Sequence, residues 1–101
     1  MAKYAIIGFG CAGYMSAKSI RENDPQGEIT VFSEHGSAPY NPMLTTYYVA
    51  GKIPFEAQFP FGSMDKIKEE LSLCVHTDTA VKKIYGENKV VELADGSQQQ
   101  F

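Results

Sequence analysis

The chain has 101 residues, 44% hydrophobic and 21% charged, a balance that suits one soluble globular domain with a modest core. Its formal net charge of −3 argues against nucleic acid or an anionic membrane as a partner. No apolar run reaches the length of a membrane span or of a signal-peptide core, so the expected location is cytoplasmic.

A first strand is predicted from Lys3 to Gly8, almost continuously apolar, as expected of a parallel strand buried on both faces. Directly after it, Gly8, Gly10 and Gly13 occupy the three positions of G-x-G-x-x-G, and a helix-compatible segment follows from near Cys11 to about Asn23. Each glycine answers a different need. Gly8 turns the chain sharply out of the strand, Gly10 lets a pyrophosphate approach the backbone, and Gly13 lets helix and strand pack closely. The helix N-terminus then presents unpaired N–H groups and the positive end of its dipole to the phosphates. With Cys11 and Ala12 between them, these glycines form the candidate binding turn. Along the helix, Ala12, Met15, Ser16, Ser19 and Ile20 form a small-residue face, and Lys18, Arg21 and Glu22 read as polar surface.

Pro25 and Gly27 break this helix and lead into a second strand, Ile29-Thr-Val-Phe-Ser, ending in Glu34. An acid about 20 residues beyond the glycine turn is placed to accept hydrogen bonds from ribose hydroxyls. Strand, glycine triplet, helix, strand and acid together point to a dinucleotide, where a lone triplet would not. Residues 35 to 62 differ in character: Pro39, Pro42, Pro54 and Pro60 interrupt a stretch rich in tyrosine and phenylalanine. A short helix is expected from Pro42, with Gly51 as its stop. The excursion as a whole reads either as a cover over a planar ligand or as a loop burying its own aromatics, and the first reading is preferred.

Ser63 is placed to cap a further helix, with Asp65 in its first turn and Met64, Ile67 and Leu71 inward. Leu73-Cys-Val-His76 is a third short strand. Alternation then takes over in Thr79–Tyr85 and Val90–Ala94, with a turn at Gly86–Lys89, a hairpin signal at Asp95-Gly96 and a returning strand at Ser97–Phe101. Cys11 is read as a small side chain in a crowded turn, and Cys74 as core. The two are too far apart for a C-x-x-C pair, and His35 and His76 stand alone, so no metal site and no catalytic residue is expected.

At this point the sequence resembles the N-terminal FAD-binding part of the pyridine nucleotide-disulphide oxidoreductases, in the branch of NADH oxidases, rubredoxin reductases and the flavin domain of nitrite reductase. Four stretches carry the resemblance: Ile7-Gly-Phe-Gly-Cys-Ala-Gly13; Val31-Phe-Ser-Glu34; Pro39-Tyr-Asn-Pro-Met-Leu44 with Tyr47-Tyr-Val-Ala-Gly-Lys-Ile53; and Ala80-Val-Lys-Lys-Ile84 with Val91-Glu-Leu-Ala-Asp-Gly96. It implies an α/β fold, a Rossmann-like βαβαβ parallel sheet plus a three-stranded antiparallel β-meander, within one incomplete FAD-binding domain over residues 1–101. It further implies that Gly8, Gly10 and Gly13 accommodate the FAD pyrophosphate, that Glu34 holds the adenosine ribose, that the Val81 backbone meets the adenine edge and that Pro42 approaches the flavin. Asn41 stands where many relatives carry arginine, and Thr45, Thr46 and Tyr47 occupy the region of the redox cysteine found in peroxidases of the branch. Cysteine-dependent peroxide or disulphide chemistry is therefore not expected.

The resemblance also implies a fragment: the next parallel strand, the rest of the FAD domain and the domain for NAD(P)H lie beyond Phe101 in such proteins. FAD is the expected cofactor and partner, a nicotinamide nucleotide would bind through the absent domain, and an exposed sheet edge would favour pairing with another copy. The expected function is the FAD-binding segment of a flavin-dependent NAD(P)H oxidoreductase, inert by itself. The alternative is a non-catalytic module binding NAD or ADP-ribose through the same turn.

Overall fold

The computed structural model describes residues 2–101 and opens on the short parallel strands that the apolar runs predict. β1 (Lys3–Ile7) pairs in parallel with β2 (Glu28–Phe32), Ile6 opposite Val31. β2 pairs in parallel with β3 (Leu73–His76), Val31 opposite Val75, which gives the order β1-β2-β3. Three helices accompany them: α1 (Cys11–Asn23) links β1 to β2, α2 (Thr45–Val49) lies in the aromatic excursion, and α3 (Met64–Leu71) leads into β3.

Side chains of a strand alternate between faces, so the sheet has two cores to fill. On one face Ile6, Ile29, Val31 and Leu73 pack with Ala17 of α1 and Ile67 of α3, both wholly buried. On the other, Phe32 meets Val91 and Leu93, with Ala5, Val81 and Phe101 around them. Val91 and Leu93 belong to an antiparallel meander of β4 (Val81–Tyr85), β5 (Val90–Leu93) and β6 (Gln98–Gln100). The layers are therefore helices, parallel sheet and meander, and the expected α/β class holds.

Local chemistry sets the element ends. Ser63 Oγ accepts from the Lys66 N–H at 3.3 Å, so it caps α3 as predicted. The expected helix after Pro42 begins as a 3-10 turn, Pro42–Leu44, continues as α2, and gives way at Gly51, whose φ of 77° suits glycine. In the β5–β6 hairpin, Asp95 accepts from the Ser97 hydroxyl at 2.6 Å and from its N–H at 2.9 Å. These bonds favour the charged carboxylate, the hydroxyl most, and hold its pKa below the ordinary aspartate value. The resulting stabilisation is present above the unfolded-state pKa and fades as pH falls through the lowered folded value. Following the Asp95 carboxyl by NMR should give a midpoint below that of a free aspartate, and Ser97→Ala should move it upward; an unmoved midpoint would refute this.

Three expectations need correction. β1 is not buried on both faces: Ile6 is buried on the helix side, whereas Ile7, on the opposite face, is 46% exposed because the meander cluster stops short of it, and among the described residues β1 pairs with β2 alone. The inward face of α1 is Gly13, Tyr14, Ala17, Ile20 and Arg21, whereas Ala12, Met15, Ser16 and Ser19 are exposed. The contact of Gly13 with Gly8 sets the rotation of the helix about its axis, and the inward stripe then follows at helical spacing. Cys74 is exposed rather than core: its register partner is Thr30, on the face away from Val31 and the helices, and it lies outside the cluster that the meander forms over Phe32.

Candidate functional site

The site begins where β1 ends. Gly8 has φ of 90°, a conformation suited to glycine, and its N–H donates to the Phe32 carbonyl at 2.8 Å, so the turn is tied to the end of β2. A Cβ on Gly13 would run into the Gly8 carbonyl oxygen and stand 3.2 Å from its carbon, which is the close helix–strand approach the motif predicts. Gly10 is different. Its φ of −85° is open to any residue, and nothing lies within 4 Å of where its Cβ would stand. The space in front of Gly10 is therefore free for a ligand.

The first bond of α1 runs from the Tyr14 N–H to the Gly10 carbonyl at 3.0 Å. The N–H groups of Cys11, Ala12 and Gly13 precede it and have no partner within the helix. They lie beside a cleft of about 380 Å³ lined by Phe9, Gly10, Cys11, Ser33, His35, Ser37, Ala38, Pro39, Tyr40 and Pro42. The lining contains no lysine, arginine or carboxylate. Negative charge entering here would meet backbone N–H groups and the helix dipole in place of a side-chain cation.

The excursion forms the opposite wall and is fastened at several points. Tyr14 of α1 stacks on Phe61, ring centroids 3.9 Å apart, and the Cys11 thiol donates to the Tyr40 carbonyl at 3.6 Å. The Asn41 N–H donates to the carbonyl of Gln58 at 2.8 Å. Asn41 also accepts the Met43 N–H through its side chain at 3.0 Å and so caps the turn that starts at Pro42. The excursion lines the cleft with Pro39, Tyr40 and Pro42, and its rings meet edge to face in the Tyr40–Phe59, Tyr48–Phe55 and Phe55–Phe59 contacts, but it does not bury them all: Tyr40, Tyr48 and Phe55 stay exposed.

Of the sequence-selected residues, Gly10, Cys11 and Pro42 come together on the cleft wall, with Gly8, Ala12 and Gly13 framing the turn behind them. Glu34 is exposed and sits between two lining residues, Ser33 and His35. Val81 is outside the lining, half-buried beside Phe32 at the start of β4. The connection leading to it nonetheless passes the same turn, since the Thr79 N–H donates to the Ser33 carbonyl at 2.8 Å. Sequence reasoning passed over Ser33 and set His35 aside as a solitary histidine. Ser33 is 6% exposed and its Oγ donates to the His35 carbonyl at 2.6 Å, so it shapes the turn that carries Glu34. No signal in the sequence marks either one. Among the described residues no cluster of metal-ligating side chains occurs, and no helix is long and apolar enough to cross a membrane.

No protein-family model matches the chain. Curated relatives do: the epsilon subunit of an NADH-dependent phenylglyoxylate dehydrogenase from Aromatoleum evansii is 31% identical over 99 residues, 94% of this chain and 22% of that protein. A rubredoxin-NAD(+) reductase from Acinetobacter baylyi is 30% identical over 100 residues, 98% of this chain and 25% of that one. Among solved structures, a water-forming NADH oxidase from Lactobacillus brevis bound to NADH superposes with a TM-score of 0.84 at 22% identity, over 98% of this chain and 22% of that chain. The putidaredoxin reductase of a covalent complex with putidaredoxin also reaches 0.84, at 24% identity, over 99% of this chain and 24% of its own. The structural likenesses establish the fold, and the sequence relatives bear out the resemblance to the pyridine nucleotide-disulphide oxidoreductases. The chain spans about a quarter of the length of the curated relatives it matches.

Proposed function

We propose that this chain binds the ADP portion of FAD at the Gly8–Gly13 turn, as the cofactor-binding segment of a flavin-dependent NAD(P)H oxidoreductase. The observation that carries the reading is the open space before Gly10 at the free N-terminus of α1, on the wall of the cleft. In this reading the N–H groups of Cys11, Ala12 and Gly13 meet the pyrophosphate, Glu34 accepts from the ribose, the backbone at Val81 lies toward the adenine, and Pro42 lies toward the flavin. Bound flavin would supply hydride and electron transfer between NAD(P)H and an acceptor; the residues of this chain bind and orient it. The sequence relatives that carry NADH or NAD in their names support this.

Gly10→Val tests the reading without disturbing the fold. A Cβ at Gly10 meets no atom within 4 Å and the backbone is not strained, so the main cost is a poorer N-cap and stability should fall by about 1 kcal/mol. FAD titrated by its fluorescence should bind the parent chain, and Gly10→Val should weaken it by about tenfold or more, the effect of blocking the approach to the backbone amides. Preferential binding of NAD would favour the alternative, a nucleotide-binding module without flavin. Unchanged FAD affinity in Gly10→Val, or no FAD binding at all, would overturn the proposal for this chain.

A further inference from the structure

The parallel sheet carries a second set of reactive side chains that does not line the cleft. Cys74 and His76 stand two residues apart on β3 and so share a face. Cys74 Sγ lies 3.8 Å from His76 Nε2, and the thiol is exposed. The imidazole is held by packing: its ring stacks on Phe32, centroids 5.3 Å apart and planes 13° apart. Phe32 is buried and is the register partner of His76 across the β2–β3 pair. A neighbour anchored in the core thus fixes one ring nitrogen beside the sulfur.

Cys11 provides the internal contrast. It is also exposed, but its thiol donates to the Tyr40 carbonyl at 3.6 Å. A carbonyl oxygen accepts a hydrogen bond and does not take up the proton, whereas the free nitrogen of a neutral imidazole does. The two cysteines differ in the partner available to the thiol proton, with access common to both.

We propose that Cys74, with His76 as its proton acceptor, is a thiol-modification site that reacts with low-molecular-weight disulfides. The thiol proton passes to Nε2 and the Cys74 sulfur attacks one sulfur of the reagent. The reagent S–S bond breaks as the new S–S bond forms, and the departing thiolate recovers the proton from the imidazolium. Cys74 is oxidised to a mixed disulfide, and one half of the reagent leaves reduced as a thiol. Because the sulfur is exposed on an edge strand, the adduct forms without opening either core.

The test is to treat the full chain with dithiobis(nitrobenzoate), following the released thiolate by absorbance and locating the label by peptide mass spectrometry. Comparison of Cys11→Ser with Cys74→Ser should show Cys74 reacting about tenfold faster than Cys11, as an adjacent histidine activates a cysteine. His76→Phe keeps a flat ring on Phe32 but removes the nitrogen; it should slow Cys74 to the rate of Cys11 and leave Cys11 unchanged. Labelling of Cys11 first or at the same rate would overturn the proposal, and this comparison needs no change at His76. So would a folded His76→Phe chain in which Cys74 reacts as before.

Discussion

Gly13→Ala is expected to lower the unfolding free energy by about 2–3 kcal/mol, the usual cost of forcing an added group into a packed site. The methyl would overlap the Gly8 carbonyl oxygen and stand 3.2 Å from its carbon, with Phe9 Cδ1 in contact behind it at 3.4 Å. Neither neighbour yields easily. Gly8 is held by its N–H bond to Phe32, and Phe9 is buried. Alanine favours a helix interior over glycine by about 1 kcal/mol, so a gain would be the naive expectation, and the clash has to outweigh it. Against a total of about 5–15 kcal/mol for a domain this size, the loss is easily seen in urea unfolding. A Gly13→Ala chain as stable as the parent would show that α1 can shift away from β1. The contrast with Gly10→Val is informative: the glycine with open space before it borders the cleft, and the one without holds the turn together.

Arg21→Ala should cost about 2 kcal/mol, near the value of a hydrogen bond from a charged donor. Its half-buried guanidinium gathers carbonyls from two helix ends. Nε donates to the Leu71 carbonyl at 2.8 Å and Nη2 to that of Ser72 at 3.2 Å, at the C-terminus of α3. Nη1 donates to the carbonyls of Asp24, Pro25 and Gly27 at 3.3, 3.0 and 2.8 Å, along the turn from α1 to β2. The positive charge also lies where both helix dipoles are negative. Water can reach some of these carbonyls in the variant, which keeps the loss well below the sum of five bonds. At about 4–8 °C per kcal/mol, the melting temperature should fall by roughly 8–16 °C. Arg21→Lys should recover less than half of that, because one ammonium cannot reproduce the planar fork. A fall of only a degree or two for Arg21→Ala would mean that these contacts contribute little.

Arg21 shows where sequence reading stopped. In a helix pattern it sits beside Glu22 and after Lys18, so it reads as surface, and nothing local says that the end of α3, some fifty residues on, will arrive within reach. Cys74 fails for a related reason: an apolar strand does not announce which of its faces will be covered. β1 looked doubly buried because its composition is that of an inner strand, and composition does not show how far the layer over each face reaches. By contrast Ser63, Pro42, Gly51 and the Asp95-Gly96 hairpin were legible, since caps and turns depend on a few residues adjacent in the chain.

The sequence by itself determined the order of elements, the α/β class and the glycine turn, because strand alternation, helix capping and positive-φ glycines are short-range requirements. Only the tertiary structure decided what that turn faces. It set Gly10 before open space, Gly13 against Gly8, and the proline-rich excursion across from the α1 N-terminus to make a cleft. It also placed His76 beside Cys74 over Phe32. Cys74 and His76 are close in the chain, but the stacking of His76 on Phe32 and the meeting of the excursion with α1 join residues distant in sequence, and they exist only after hydrophobic burial has fixed the register and rotation of each element.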